Sequence, residues 1–355
     1  MRRPARAWVD PAALRHNLAV ARRHAPHSRI VAMVKANAYG HGLENVAAVL
    51  ADRVDAFGVA CVPEALALRE AGIDGRILVT QGFHTEAELH DAARFHLDVV
   101  VHADWQLRAL ENASLHALPK LWVKVDSGMH RLGFSSEQVP LIHASLSRLS
   151  GLKTPPGLLT HFACADQPEN SYTSLQIQRF DRATQALRGE RSLCNSAAVF
   201  TRRDAHRDWI RPGIMLYGAS PLQGRPADAL DLRPAMHLRA PLIAINHRRR
   251  GDAIGYGGLW TCPQDMPVGV VAAGYGDGYP RHAPSGAPVA LRGRVAALIG
   301  RVSMDMLTID LRGIDARVGD EVELWGGAVP VDEVARQAGT IAYELLCQVG
   351  GRCLR

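Results

Sequence analysis

A chain of 355 residues is long enough for two domains or for one barrel with an appendage. With 47% hydrophobic and 21% charged residues it can bury a full core and should be globular and soluble throughout, and no apolar run approaches the length of a membrane span. The 41 basic against 35 acidic residues give a net charge of +6, but the basic residues are scattered without interleaved aromatics or a nucleic-acid motif, so the excess suits small anionic ligands rather than a polymer.

The start, MRRPARAWVD, is basic and has no apolar stretch behind it, which predicts no signal peptide and a cytoplasmic protein. Asp10 as N-cap and Pro11 at the first helical position then open a helix, and VAMVKA (31–36) reads as the first strand. FGVACV (57–62) follows, and after it Pro63 opens a helix that Gly72 ends. The further apolar runs are ILVTQGF (77–83), LDVVVH (97–102), LWVKVD (121–126), GLLTHF (157–162), RSLCNS (191–196) and IRPGIMLYG (210–218). Most lack alternation, as parallel strands buried on both faces do. Eight strands alternating with helices predict a closed (β/α)8 barrel, a TIM barrel, over residues 1–228. A doubly wound open sheet is the runner-up, without a G-x-G-x-x-G behind the first strand to support it.

From residue 229 to 355 the texture changes to short β-rich runs separated by Gly, Pro and Asp, with little helix before VDEVARQAG, which predicts a second, mostly β domain. The densest basic run, His247 to Arg250, precedes Gly251-Asp252 and reads as a solvated turn. The six cysteines (Cys61, Cys164, Cys194, Cys262, Cys347, Cys353) form no C-x-x-C pair, and most lie in apolar runs, as reduced, buried cysteines do. No metal site is expected.

Within AMVKANAYGHG (32–42), Lys35 stands where an apolar residue would continue the strand. It is either the first solvated residue after the strand or a desolvated amine suited to imine chemistry. Polar residues end four other predicted strands as well: Lys124 and Asp126, His161, Asn195 and Ser196, and Arg211 with Gly213. In a barrel the carboxyl ends of the strands share one face, and the loops after the last two strands commonly cradle phosphate. Ser196 offers a hydroxyl, and Gly213 lets backbone amides approach an anion. With Lys35, this implies a phosphorylated carbonyl cofactor, which pyridoxal 5′-phosphate fits.

The segments AMVKANAYGHG, VKVDSGMHRLG, THFACAD, CNSAA, RPGIMLYGASP, IGYGG, GYGDGYPRHAP, GRVSMDM and AYELLC occur in the order seen in alanine racemases, the fold-type III pyridoxal phosphate enzymes. The chain resembles that family over essentially its whole length. The resemblance implies that Lys35 carries the cofactor covalently as an imine and serves as base for the D-alanine α-proton. Tyr39, Ser196, Gly213, Ile214 and Tyr343 match phosphate contacts, beside Asn195. Arg211 matches the donor to the pyridine nitrogen, with His161 supporting it by hydrogen bonding. Arg131 matches the residue that bonds the cofactor's phenolic oxygen and the substrate carboxylate, a role suited to a planar fork.

Lys124 matches a lysine that many relatives carbamylate. Tyr256 matches the second base, for the L-alanine α-proton, and Met304 a carboxylate contact through its backbone. Both are supplied by the partner subunit in the family, so a homodimer with shared sites is implied. Tyr275 and Tyr343 match the inner gate of an entrance, with Asp166, Arg281 and Arg301 outside it. One departure stands out: many relatives have His three positions before the Asn-Ser pair, where this chain has Ser192. The alternatives are a racemase of broader specificity, and a cofactor carrier of the same fold that would lack the second domain. Cell-wall supply and D-alanine catabolism are both left open, SGMHR and DGYPRHAP leaning to the catabolic type.

Overall fold

The structure, a computed structural model, describes residues 4–113, 115, 117–349 and 353–354. The first strand, β1 (Arg6–Val9), leads into the helix Pro11–His24, whose N-cap Asp10 accepts the Ala12 amide at 2.7 Å. Eight strands follow: β2 (Arg29–Met33), β3 (Ala56–Val59), β4 (Arg76–Val79), β5 (Asp98–Val101), β6 (Lys120–Lys124), β7 (Gly157–Leu159), β8 (Arg191–Ser192) and β9 (Trp209–Ile210). They pair in chain order, all parallel, and β9 closes on β2, so the predicted eight-stranded parallel barrel is what forms.

The last two barrel strands are shorter than their apolar runs. Strand β8 stops at Ser192 because Asn195 caps the helix Ser196–Thr201, its side chain accepting the Ala198 amide at 3.0 Å. Strand β9 stops at Ile210 because Pro212 has no amide hydrogen to extend a ladder. The chain then turns at Gly213 into the 3-10 helix Ile214–Tyr217. Strand β2 also ends early, at Met33, which leaves Lys35 outside the ladder.

The second sheet is built from β10 (Met236–Arg248), β13 (Met266–Val271), β14 (Pro288–Leu291), β15 (Arg294–Ala297), β16 (Leu307–Asp310) and β17 (Glu321–Trp325), ordered β15-β14-β17-β10-β13-β16. Its pairings are antiparallel, and between β10 and β13 the chain forms a small ribbon of β11 (Ala253–Ile254) and β12 (Trp260–Thr261). Strand β1 precedes the barrel in sequence yet pairs with β10, so this sheet draws on the N-terminal segment too. Strand β10 carries register shifts at Leu238/Arg239 and Leu242/Ala244, which let one strand serve β17 along its first part and β13 along its second.

Two sequence expectations are corrected. His247 and Arg248 continue strand β10, because Asn246 and His247 pair with Val268 and Pro267 before the turn begins. Cys347 is exposed, and Cys61 and Cys164 are only half-buried; burial holds for Cys194, Cys262 and Cys353. The helix Ala342–Gln348 packs its carbonyl end against the loop after β2: a Cβ on Gly40 would fall 2.0 Å from the Leu346 oxygen, and Gly40 has φ 80°. This contact brings the second domain's last helix to the mouth of the barrel.

Candidate active site

Each polar residue that interrupted an apolar run lies at or just beyond the carboxyl end of a barrel strand. Lys35 follows β2 by two residues, Lys124 is the last residue of β6, His161 follows β7 by two, and Arg211 directly follows β9. Asp126 accepts the Gly128 and His130 amides at 3.0 Å each, folding the loop that carries Arg131 back over β6. Phe134 completes that fold by donating its amide to the Lys124 carbonyl at 2.9 Å.

These residues form a cationic cluster. Burial, then the Arg131 charge, lowers the Lys35 ammonium from its ordinary range, with Glu64 opposing. Burial, then Arg211, Arg131 and Lys35, brings Lys124 down to about 7. His161 is held neutral, far below the usual imidazole range, by burial and by Arg211. Four cationic side chains around one mouth, Lys35, Lys124, Arg131 and Arg211, partly neutralised by Glu64 and Asp126, make a site that favours an anionic occupant.

Arg211 is buried and donates to Ser192 Oγ at 2.7 Å and to the Thr160 and Leu193 carbonyls at 2.6 and 3.3 Å. All three acceptors are neutral, and burial lowers this guanidinium only to about 10, so it remains charged at neutral pH. The hydrogen bond expected from His161 is made instead by Ser192 and by the backbone. Thr160 extends the network by hydrogen bonding to the Val125 carbonyl and to Ser127 Oγ, each at 2.8 Å. Gln176 then donates to the His161 carbonyl at 3.1 Å.

Opposite this network lies the expected cradle. Ser196 Oγ accepts the Gly213 amide at 2.8 Å and the Met215 amide at 3.4 Å, which leaves its own hydrogen to donate outward. A Cβ on Gly213 would fall 2.5 Å from Tyr39 Oη, so the glycine is what brings the buried Tyr39 against this turn. Tyr39 is stacked on Tyr217 with ring centroids 4.8 Å apart, and Tyr343 approaches from the second domain at 6.0 Å. A serine hydroxyl and close-packed amides beside a lysine of lowered pKa fit a phosphorylated carbonyl compound, the class inferred from sequence.

Four residues that sequence reasoning missed support this arrangement. Tyr217 donates to the Met33 carbonyl at 2.8 Å, and His41 stacks on Tyr217 while bonding the Tyr39 carbonyl at 2.9 Å. Both lay inside motifs already quoted, where they read as strand and loop. Glu64 takes the Ala36 amide, and its signal was its place directly after Pro63, as the third residue of the helix Val62–Glu70. Thr160 gave no signal, because it acts through its carbonyl as well as its hydroxyl.

The remaining candidates lie apart. Tyr256 is 68% exposed and Met304 55% exposed, and Arg281 and Arg301 are exposed as well. The Tyr275 amide donates to the Ser303 carbonyl at 3.1 Å and the Gly276 amide to the Met304 carbonyl at 2.9 Å, so Tyr275 and Met304 belong to one patch of the second domain. Gly255, just before Tyr256, approaches the Arg301 backbone in the same region. Among the described residues, none of the barrel side chains hydrogen-bonds Tyr256. Asp166 stays near the barrel mouth, where its carboxylate, after burial, helps to raise the Tyr343 phenol.

Comparison with known proteins agrees with this architecture along the whole chain. Residues 9–221 match the family model described as alanine racemase, N-terminal domain, and residues 235–355 the corresponding C-terminal domain. An alanine racemase of Thioalkalivibrio sulfidiphilus is 53% identical over 354 residues, covering 99% of this chain and 98% of that one. One from Coxiella burnetii is 50% identical over 354 residues, covering 98% and 97%. The crystal structure of the biosynthetic alanine racemase from Pseudomonas aeruginosa superposes with a TM-score of 0.97 at 46% identity, covering 100% of this chain and 99% of that one. That of alanine racemase from Acinetobacter baumannii does so at 0.93 and 39%, with the same coverage. Two domain models that together span nearly every residue, and relatives above 45% identity over full length, establish that the chain belongs to the alanine racemase family.

Proposed function

We propose that this protein interconverts L-alanine and D-alanine with pyridoxal 5′-phosphate, acting as a homodimer whose partner subunits share each site. The observation that carries the reading is the convergence, at one end of the barrel, of Lys35 with its lowered pKa, the Ser196–Gly213 cradle, and Arg211 held by neutral acceptors. When bound, the cofactor supplies a carbonyl for amine exchange and an electron-withdrawing ring that acidifies the substrate's α-hydrogen.

The chain's own residues supply the rest. Lys35, desolvated and near the charges of Arg131 and Arg211, would hold the cofactor through its amine and would move a proton on one face of the α-carbon. Ser196, Tyr39, Tyr343 and the amides of Gly213 and Ile214 hold the phosphate, with Asn195 fixing the helix behind them. Arg211 would hold the ring nitrogen as a hydrogen-bond donor. A guanidinium does not readily give up its proton, so a ring nitrogen held by Arg211 would stay unprotonated and the ring would withdraw electrons only moderately. Moderate withdrawal would suit proton exchange at the α-carbon better than transamination.

Arg131 orients the substrate carboxylate. Burial and the neighbouring cations bring Lys124 down to about 7, so its free amine would be available to add carbon dioxide, forming a carbamate and releasing one proton to solvent. The resulting anion would hold Arg131 where the ammonium repels it. Tyr256 of the second subunit is the base for the opposite face, with Met304 beside it. Tyr275, Arg281, Arg301 and Asp166 line the approach.

The test uses purified protein and its Lys35→Ala variant. Wild type should carry the visible absorption of a lysine-bound cofactor and wash deuterium from the α-position of both alanine enantiomers. The variant should lose both properties. A colourless wild type, or a variant that still exchanges both enantiomers, would overturn the assignment of Lys35.

A further inference from the structure

The backbone that follows Lys35 is held in a conformation it would not adopt alone. Ala36, Asn37, Ala38 and Tyr39 have φ of 54°, 54°, 53° and 52°, a turn of left-handed helix with no glycine in it. Such a conformation costs about 1–2 kcal/mol per residue relative to the right-handed form. It persists only where surrounding contacts over-determine it.

The far end of the turn is closed by backbone and side-chain bonds: Gly42 donates to the Asn37 carbonyl and Leu43 to Asn37 Oδ1. At the near end Ala38 donates to the Val34 carbonyl at 2.8 Å, and the one side chain that bonds the Ala36 amide among the described residues is Glu64. Its Oε1 accepts the Ala36 amide at 2.8 Å and its Oε2 accepts the Ala60 amide at 2.7 Å. One carboxylate therefore ties the chain leaving β2 to the chain leaving β3. The Ala36 amide belongs to the peptide unit immediately after the Lys35 α-carbon. The helix Val62–Glu70 presents Glu64 from its first turn, where unpaired amides favour a carboxylate.

We propose that Glu64 is a positioning residue: its carboxylate clamps the left-handed turn and so fixes the direction in which Lys35 presents its amine. The inference rests on the reading of Lys35 as the nucleophile toward the cofactor. Glu64 has a second effect on the same amine, since its charge raises the Lys35 pKa against burial and Arg131. The clamp and the charge are separable. Glycine adopts the left-handed region without penalty, and Ala36 is exposed, so Ala36→Gly relieves the strain at the residue Glu64 holds without removing core packing.

The experiment follows capture of pyridoxal 5′-phosphate by cofactor-free protein, by the rise of visible absorption and by borohydride trapping with peptide mapping. Glu64→Gln and Glu64→Ala are each made alone and with Ala36→Gly. Glu64→Gln should slow capture on Lys35 by roughly 10–100-fold, the scale of a lost charge-assisted hydrogen bond. Ala36→Gly should restore part of that loss, up to roughly 5–30-fold, in either background. Should Glu64→Ala fail to fold, the Glu64→Gln pair carries the comparison alone. Trapping on Lys35 at an unchanged rate in Glu64→Gln overturns the proposal, as does a loss that Ala36→Gly leaves untouched. Trapping of wild type at a different lysine overturns the proposal together with the reading beneath it.

Discussion

Ser192 matters because Arg211 is a buried charge without a carboxylate. Its hydroxyl accepts from Arg211 at 2.7 Å and passes its own hydrogen to the Trp209 carbonyl at 2.9 Å, so its orientation is fixed from both sides. Removing one partner of a buried, charge-assisted bond leaves a desolvated N–H unpaired, which costs about 1–3 kcal/mol. Ser192→Ala should therefore lower stability by that amount in a denaturation curve. It should also let the guanidinium turn, raising the share of turnovers lost to transamination, measurable as pyridoxamine 5′-phosphate accumulating with time. The cycle with Arg211→Lys separates this from a general packing effect. If Ser192 acts through the guanidinium fork, its loss has little further effect once the fork is gone, whereas strict additivity of the two substitutions would count against the role.

At the scale of elements, the barrel is closed at the end opposite the site by a network drawn from the first residues of β2, β4, β5 and β6 and the residue before β8. Arg29, Arg76 and Lys120 are the first residues of β2, β4 and β6, and all three pair with Glu190, one residue before β8. Asp98, the first residue of β5, takes Arg76 at 2.5 Å and the Trp122 indole at 3.0 Å. The Arg29 and Arg76 guanidinium groups lie 4.2 and 4.6 Å from the centre of the Trp209 ring. Burial alone would raise the Glu190 carboxyl, but the Lys120 hydrogen bond and the charges of Lys120, Arg76 and Arg29 outweigh it and hold it down to about 2. A depressed carboxyl contributes stability above its unfolded pKa and loses that contribution as pH falls through the folded value. Glu190→Gln should thus cost about 1–3 kcal/mol at pH 7. The gap to wild type should narrow between about pH 4.5 and pH 2, and a gap constant over that window would refute the network's role.

How much of this was legible follows from what each feature depends on. The eight barrel strands could be read because burial on both faces leaves an apolar run, as in the fully buried Ala56–Val59 and Asp98–Val101. Their ends could not, since Ser192 and Ile210 end strands for reasons set by a downstream cap and by a proline. Strand β1 was missed because four residues with a mixed burial pattern carry little signal, and its partner lies more than 220 residues away. Lys35, Lys124 and Arg211 stood out as charges in apolar company. Glu64 offered only its place at a helix start, because what it binds is backbone amides, and Thr160 offered nothing, because its carbonyl takes the Arg211 bond and every residue has a carbonyl.

At the scale of the whole molecule, the two halves of the proposed chemistry sit on different faces of one chain. Lys35 and its neighbours line the barrel mouth, while Tyr256, Leu259, Met304 and Met306 are exposed at 68%, 64%, 55% and 45%. A grouping of large apolar and aromatic side chains in solvent marks a surface that another chain covers. In a two-fold dimer each site would then take Lys35 from one subunit and Tyr256 from the other. Complementation tests this directly. Lys35→Ala and Tyr256→Phe should each be inactive in racemisation when alone. After mixing under conditions that exchange subunits, half of the dimers are mixed, and each mixed dimer holds one site with both lesions and one with neither. The mixture should therefore recover about a quarter of the wild-type activity, by the statistics of random pairing in a two-fold dimer. If Lys35 and Tyr256 instead served one site from the same chain, every site in the mixed dimer would carry a lesion and no activity would return. Tyr256→Phe alone should still exchange the α-deuterium of D-alanine through Lys35, while exchange from L-alanine is lost.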